Sequence, residues 1–149
     1  ITASKNEVWD LVTDINFGSK FSNEFVGANW DEESPSLKLG DTFTGRNQNE
    51  HIGEWTAKCT IDVLESGRLF GWCTGDVSTP GARWRYELYD LGGTIRVRHR
   101  VILGPGESGL TRIIAENPQN EAKIIRNRLS ALRHNMQMVL DGMKASLED

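Results

Sequence analysis

The chain is poor in cysteine, in uninterrupted apolar sequence and in positive charge. Cys59 and Cys73 are the two thiols among 149 residues. That is too few for a disulfide scaffold, so the sequence reads as a reduced, cytoplasmic fold. No apolar run approaches the roughly 20 residues of a membrane span, so no integral membrane segment is expected. No basic segment followed by an apolar stretch opens the sequence in the manner of a secretory leader. Lysine and arginine number 17 against 21 acidic residues, for a net charge of −4. That balance argues against nucleic-acid binding through a basic surface. These deficits exclude a membrane-spanning protein, a histone-like binder and a multi-domain enzyme. With 38% hydrophobic and 26% charged residues, the composition fits one packed domain over residues 1–149.

Motifs for metals and cofactors are also missing. His51, His99 and His134 are scattered, and no set of ligand-type residues has metal spacing. Gly104-Pro105-Gly106-Glu107-Ser108-Gly109 is rich in glycine but lacks a phosphate-loop lysine, so it reads as a turn. Neither a metal nor a cofactor is expected. No internal repeat and no low-complexity segment stands out.

Tryptophan is abundant, with five residues, and its placement carries the most information. Ser4-Lys5-Asn6-Glu7 is a capping box that opens a helix. Val8, Leu11, Val12 and Ile15 form its apolar stripe. Phe17, Phe21 and Phe25 suggest a second short helical turn. From about Ala28 to Leu103 the period changes to two. Asp41 to Asn47 reads as one strand. From Glu54 to Glu65, Trp55, Ala57, Cys59, Ile61 and Val63 share one face, the antiparallel habit of one buried and one wet side.

Two glycine-containing turns predict hairpin registers. A two-residue Ser66-Gly67 turn pairs Glu65 with Arg68, Val63 with Phe70, and Ile61 with Trp72. It places Cys59 and Cys73 on opposite faces, against a bond between them. Gly92-Gly93 pairs Leu91 with Thr94, Leu88 with Val97, Tyr86 with His99, and Trp84 with Val101. On the outer face it pairs Glu87 with Arg98, Tyr89 with Arg96, and Arg85 with Arg100, a like-charge pair that needs an acidic neighbour or solvent. Asn117-Pro118 then reads as the start of a helix of about 30 residues, reaching near Leu147. Ile125, Leu129, Leu132, Met136, Val139 and Met143 make its apolar stripe. Arg128 and Asn135 flank that stripe.

Short helices, a run of antiparallel strands and one long amphipathic helix argue for an α+β layer fold. The stretch Ala3-Ser4-x-x-Glu7-Val8-Trp9-Asp10-Leu11-Val12-Thr13-Asp14, the Gly92-Gly93-Thr94 hairpin and the terminal helix resemble the START-related (SRPBCC) superfamily. Within it, the chain is most similar to the polyketide cyclase/dehydrase-like branch. The resemblance covers nearly the whole chain and implies the Bet v 1-like helix-grip fold. That fold has a seven-stranded curved antiparallel sheet around the C-terminal helix, two short helices near the N-terminus and a deep cavity. It also implies a strand ahead of Ala3-Ser4, of which Ile1-Thr2 are present. The superfamily shares no catalytic signature, so no residue role is carried over.

The candidate cavity residues are Trp55, Cys59, Ile61, Trp72, Trp84, Tyr86 and His99 on the sheet, and Arg128, Leu132, Asn135 and Met136 on the helix. His99 opposite Tyr86 has two readings. One is a catalytic acid/base pair, with an imidazole near its usual pKa and the phenol as donor or orienter. The other is a buried histidine satisfied by the tyrosine hydroxyl. The tryptophans either fill a core or line an apolar pocket suited to a flat ligand. Cys59 has no activating neighbour in sequence and reads as inert core. Arg83, Arg85, Arg96, Arg98 and Arg100 form an outer basic stripe, either solvated or a contact for an acidic protein or anionic surface through Arg96 and Arg98. The favoured reading is a binder of a small hydrophobic molecule, lipid-like or polycyclic aromatic. A polyketide cyclase, aromatase or dehydratase using the same cavity is the alternative. An interaction module working through the arginine face is the third.

Overall fold

The computed structural model describes residues 1–33 and 37–149. Ser4 caps the first helix as the sequence predicts. Its hydroxyl accepts from the Glu7 amide, and the Glu7 carboxylate accepts from the Ser4 amide. Helix α1 (Lys5–Thr13) buries Val8 and Val12. A 3-10 turn at Phe17–Lys20 buries Phe17. Phe25 is not helical; it begins strand β1 (Phe25–Trp30). Next come β2 (Thr42–Asn49), β3 (Gly53–Glu65), β4 (Leu69–Thr74), β5 (Ala82–Asp90) and β6 (Ile95–Leu103). Helix α2 (Gly109–Glu116), a 3-10 turn at Pro118–Asn120 and helix α3 (Glu121–Glu148) complete the chain. The strands pair in chain order as one curved antiparallel sheet, so the architecture is α+β with a long C-terminal helix.

The element count departs from expectation twice. The sheet has six strands among the described residues, not seven. Ile1 lies beside β6 and exchanges one pair of backbone hydrogen bonds with Ile95, both 2.8 Å. One such pair is a contact and not a strand. The α-helices number three among the described residues. The glycines of 104–109 masked the start of α2, where Ser108 and Thr111 cap each other's amides. Asn117 therefore does not open the long helix. It closes α2, donating from its backbone amide to Ile113 and Ile114 and from its side chain to Ile113.

The Gly92-Gly93 hairpin has the predicted register throughout, including Tyr86 opposite His99 and Trp84 opposite Val101. Both glycines have positive φ, 76° and 110°, as a tight hairpin turn with the right twist requires. The β3–β4 hairpin differs. Its loop is three residues long, with Glu65 opposite Leu69, Leu64 opposite Phe70 and Val63 opposite Gly71. A bulge at Asp62 then restores the predicted pairing of Ile61 with Trp72. Only Gly67 has positive φ, at 71°, and such a turn splays the strands unless a bulge takes up the mismatch. Leu64, rather than Val63, consequently packs on the core. Cys59 and Cys73 are both free and buried. The predicted Arg85–Arg100 juxtaposition is present, and each arginine turns to an acid: Arg85 to Asp62, Arg100 to Glu87.

The core lies toward one end of α3. Val139 and Met143 pack against Val8, Val12, Phe17, Phe43, Ile61, Phe70 and Leu88. Gly142 lets Phe21 lie against the helix, since a Cβ there would sit 2.5 Å from its ring. Alanine in a helix interior gains about 1 kcal/mol over glycine. Forcing a packed ring aside costs about 1–3 kcal/mol. Packing outweighs propensity, so Gly142→Ala should lower stability by about 1–2 kcal/mol in urea unfolding. Equal or greater stability would show that Phe21 moves away at no cost.

Candidate functional site

Arg128 and Leu132, one helical turn apart on α3, face the sheet across a cavity of about 450 Å³. Strands β1 to β6 supply the opposite wall, with Phe43, Trp55, Trp72, Trp84 and Tyr86 among the rings. Cys59, His99, Asn135 and Met136 also line it, so of the sequence-selected residues only Ile61 does not. Ile61 is 1% exposed and belongs to the core beside the cavity. Trp55, Trp72 and Trp84 are each half-buried, as large rings bordering open space should be.

The aromatic wall is ordered. Trp72 and Trp84 stack with ring centres 6.1 Å apart and planes 11° apart. Phe43 and Phe70 support Trp72 from the sides. These contacts fix the indole planes before any ligand arrives, which lowers the entropic cost of binding.

His99 differs from both readings of it. The Tyr86 and His99 rings stack at 3.9 Å with planes 13° apart, so the phenol hydroxyl does not bond the imidazole. Both ring nitrogens of His99 are buried without a hydrogen-bond partner. Burial holds the imidazole pKa down at about 3 and pushes the Tyr86 phenol up. At neutral pH the pair is an uncharged imidazole with an unfilled acceptor against a protonated phenol. Burial likewise pushes the Cys59 thiol up to about 12, with Cys73 and Asp31 adding to it. A thiol of that kind is not a nucleophile.

The other end of the cavity is polar. Arg128 pairs bidentately with Glu24, Nη1 donating to Oε2 at 2.7 Å and Nη2 donating to Oε1. The guanidinium also lies over Trp55, 6.0 Å from the ring centre. Asn135 accepts from the Asn23 backbone amide at 2.9 Å. The sequence marked Arg128 and Asn135 by their place beside the apolar stripe. It gave no signal for Glu24, which lies 104 residues away from Arg128 in a loop without periodicity. Glu107, Ser108 and Leu110 at the start of α2 also line the cavity. The spacing of Leu110, Ile113 and Ile114 was the available clue to that helix.

No family model matches the sequence, and neither does any curated protein sequence. Solved structures do match. The polyketide-cyclase-like protein Cgl2372 from Corynebacterium glutamicum is 26% identical, with a TM-score of 0.64 over 99% of this chain and 86% of that one. The chain has the helix-grip fold of the START-related superfamily. Two more distant structures share that fold. The Zhui aromatase/cyclase from Streptomyces sp. R1128 has a TM-score of 0.69 at 11% identity, over 99% of this chain and 88% of that one. The di-domain aromatase/cyclase BexL has a TM-score of 0.71 at 13% identity. The chain matches BexL over its whole length and spans 48% of it. No helix among the described residues is long and apolar enough to cross a membrane.

On the outer face of this START-related fold, Arg98 and Arg100 both lean on Glu87, and the Arg98 guanidinium lies over Tyr89. Arg96 is exposed. The stripe is thus partly neutralised by its own sheet.

Proposed function

We propose that the protein binds a flat, largely apolar molecule in the cavity between sheet and helix. The observation that carries this reading is a space of about 450 Å³ walled by the stacked Trp72 and Trp84 rings. That volume falls within the usual range of small-molecule sites, and the lining has their mixture of apolar walls and few polar groups. A polycyclic aromatic is the ligand class that two parallel indoles best accommodate. Titration with an anthracene derivative should quench tryptophan fluorescence, and Trp72→Ala should weaken binding about tenfold or more. No binding below about millimolar, an affinity of some −4 kcal/mol, would remove the proposal.

One observation favours a second reading, a cyclase, aromatase or dehydratase acting on the bound molecule. His99, whose two buried ring nitrogens have no partner, lies in the cavity wall stacked on Tyr86. In this reading ligand entry uncovers the imidazole and lifts the burial that depresses its basicity, so that it can accept a proton from a carbon next to a ligand carbonyl while Tyr86 donates to the oxygen. Under this reading His99→Gln removes turnover of an aromatic polyketide-like substrate while binding persists. Turnover that persists in the variant would take His99 out of the chemistry, and no turnover by the native protein would leave the carrier reading alone. The outer Arg96 and Arg98 are a contact surface in a third reading, and charge reversal at both would abolish partner capture.

A further inference from the structure

Among the described residues lining the cavity, Lys58 and Arg128 are the basic ones. Lys58 is exposed, whereas the Arg128 side chain is only 18% accessible. Taking a guanidinium this far from water is costly, and a counter-charge must offset it. Glu24, 11% accessible, supplies the counter-charge from within the same wall. The pair is bidentate, the geometry in which arginine recognises any carboxylate. Asn49 also donates to Glu24, at 3.5 Å. The remaining guanidinium N–H groups make no hydrogen bond to a described residue. Glu24 follows the exposed Asn23 and lies in the loop just before β1.

We infer that Arg128 is the anion-recognition residue of the cavity, and that the ligand carries a carboxylate which takes the place of the Glu24 carboxylate. Glu24 is then an internal stand-in that keeps Arg128 paired while the cavity is empty. The exchange conserves the ion pair: one carboxylate leaves for water as another arrives from water. The apolar body of the ligand supplies the net gain by covering Trp55, Trp72 and Trp84. This inference rests on the cavity-binding reading and adds the chemical class of the ligand, an aryl carboxylate.

The test compares anthracene-2-carboxylic acid with its neutral primary amide by calorimetry on the whole chain. The native protein should bind the acid. Glu24→Gln removes the competing carboxylate and should raise affinity for the acid on the order of tenfold, the scale of one charge-assisted hydrogen bond. Amide binding should change by less than about threefold. Arg128→Met alone would strand Glu24 half-buried and risk the fold, so the paired variant Glu24→Gln/Arg128→Met is used, with melting temperature recorded. It should lose the acid by about tenfold or more and retain the amide. Equal response of acid and amide to either variant overturns the inference and leaves cavity binding standing. If neither compound binds any of the three proteins, the cavity reading itself fails, and the inference with it.

Discussion

Lowering the pH from 7 to 4 should remove up to about 3 kcal/mol of stability through His99 alone. In the unfolded chain this imidazole titrates near 6.5. In the fold, burial holds it at about 3. Between those values the unfolded state binds a proton that the native state refuses, so stability falls as the pH falls. The loss begins near pH 6.5 and levels off below about 3. Each unit is worth about 1.4 kcal/mol, so the interval from 6.5 to 4 accounts for the figure. Carboxylates such as Glu7, Asp76 and Glu148, each held low chiefly by hydrogen bonds, add their own loss only as the pH falls through and below the ordinary carboxylate range. A comparison with His99→Phe isolates the histidine. The phenylalanine variant should show a flatter pH profile and about 1–2 kcal/mol more stability at pH 7, since two orphaned nitrogens are removed. Parallel profiles for the two proteins would mean that water reaches the ring.

The same group therefore weakens the fold and equips the cavity. An unfilled buried acceptor has a cost that core packing elsewhere must cover. Phe70, Ile61 and Met143 are almost wholly buried and contribute packing that offsets this cost.

Periodicity made the sheet and the long helix legible, because side chains alternate on strands and recur every three to four residues on helices. It placed Trp72, Trp84 and Tyr86 on the inner face and Leu132 and Met136 opposite them. It failed where a single residue changes the count. The bulge at Asp62 exchanges the faces of Val63 and Leu64, and nothing local announces a bulge. It failed again at α2, where glycine and proline before Ser108 outweighed three apolar residues at helical spacing. The ring geometry of Tyr86 and His99 lay beyond the sequence as well. Register fixes that two residues are neighbours, while stacking against hydrogen bonding depends on side-chain torsions. Glu24 meets Arg128 only through the closure of the whole chain.

Truncating Arg85 to alanine should cost about 3–4 kcal/mol, although it sits on the outer face of the sheet. Its side chain lies across Gly71, where a Cβ would come within 2.7 Å of it. The guanidinium reaches Asp62 on β3, with Nη2 donating to Oδ2 at 3.0 Å and Nη1 at 2.9 Å from Oδ1. It also donates to the carbonyls of Trp84 and Trp72, at 2.8 and 3.3 Å. Both partners are mostly shielded, at 16% and 17% accessible. Removing one leaves an unpaired carboxylate on the sheet and an open space over Gly71. Exposed ion pairs are worth about 1 kcal/mol or less, so the size of the loss separates the two cases. The double variant Asp62→Leu/Arg85→Met should recover most of it, because two apolar side chains leave no charge stranded. If Arg85→Ala costs under about 1 kcal/mol in urea unfolding, solvent screens this pair as it would any surface pair. If the double variant is no better than the single one, the loss comes from packing over Gly71 and not from the stranded charge.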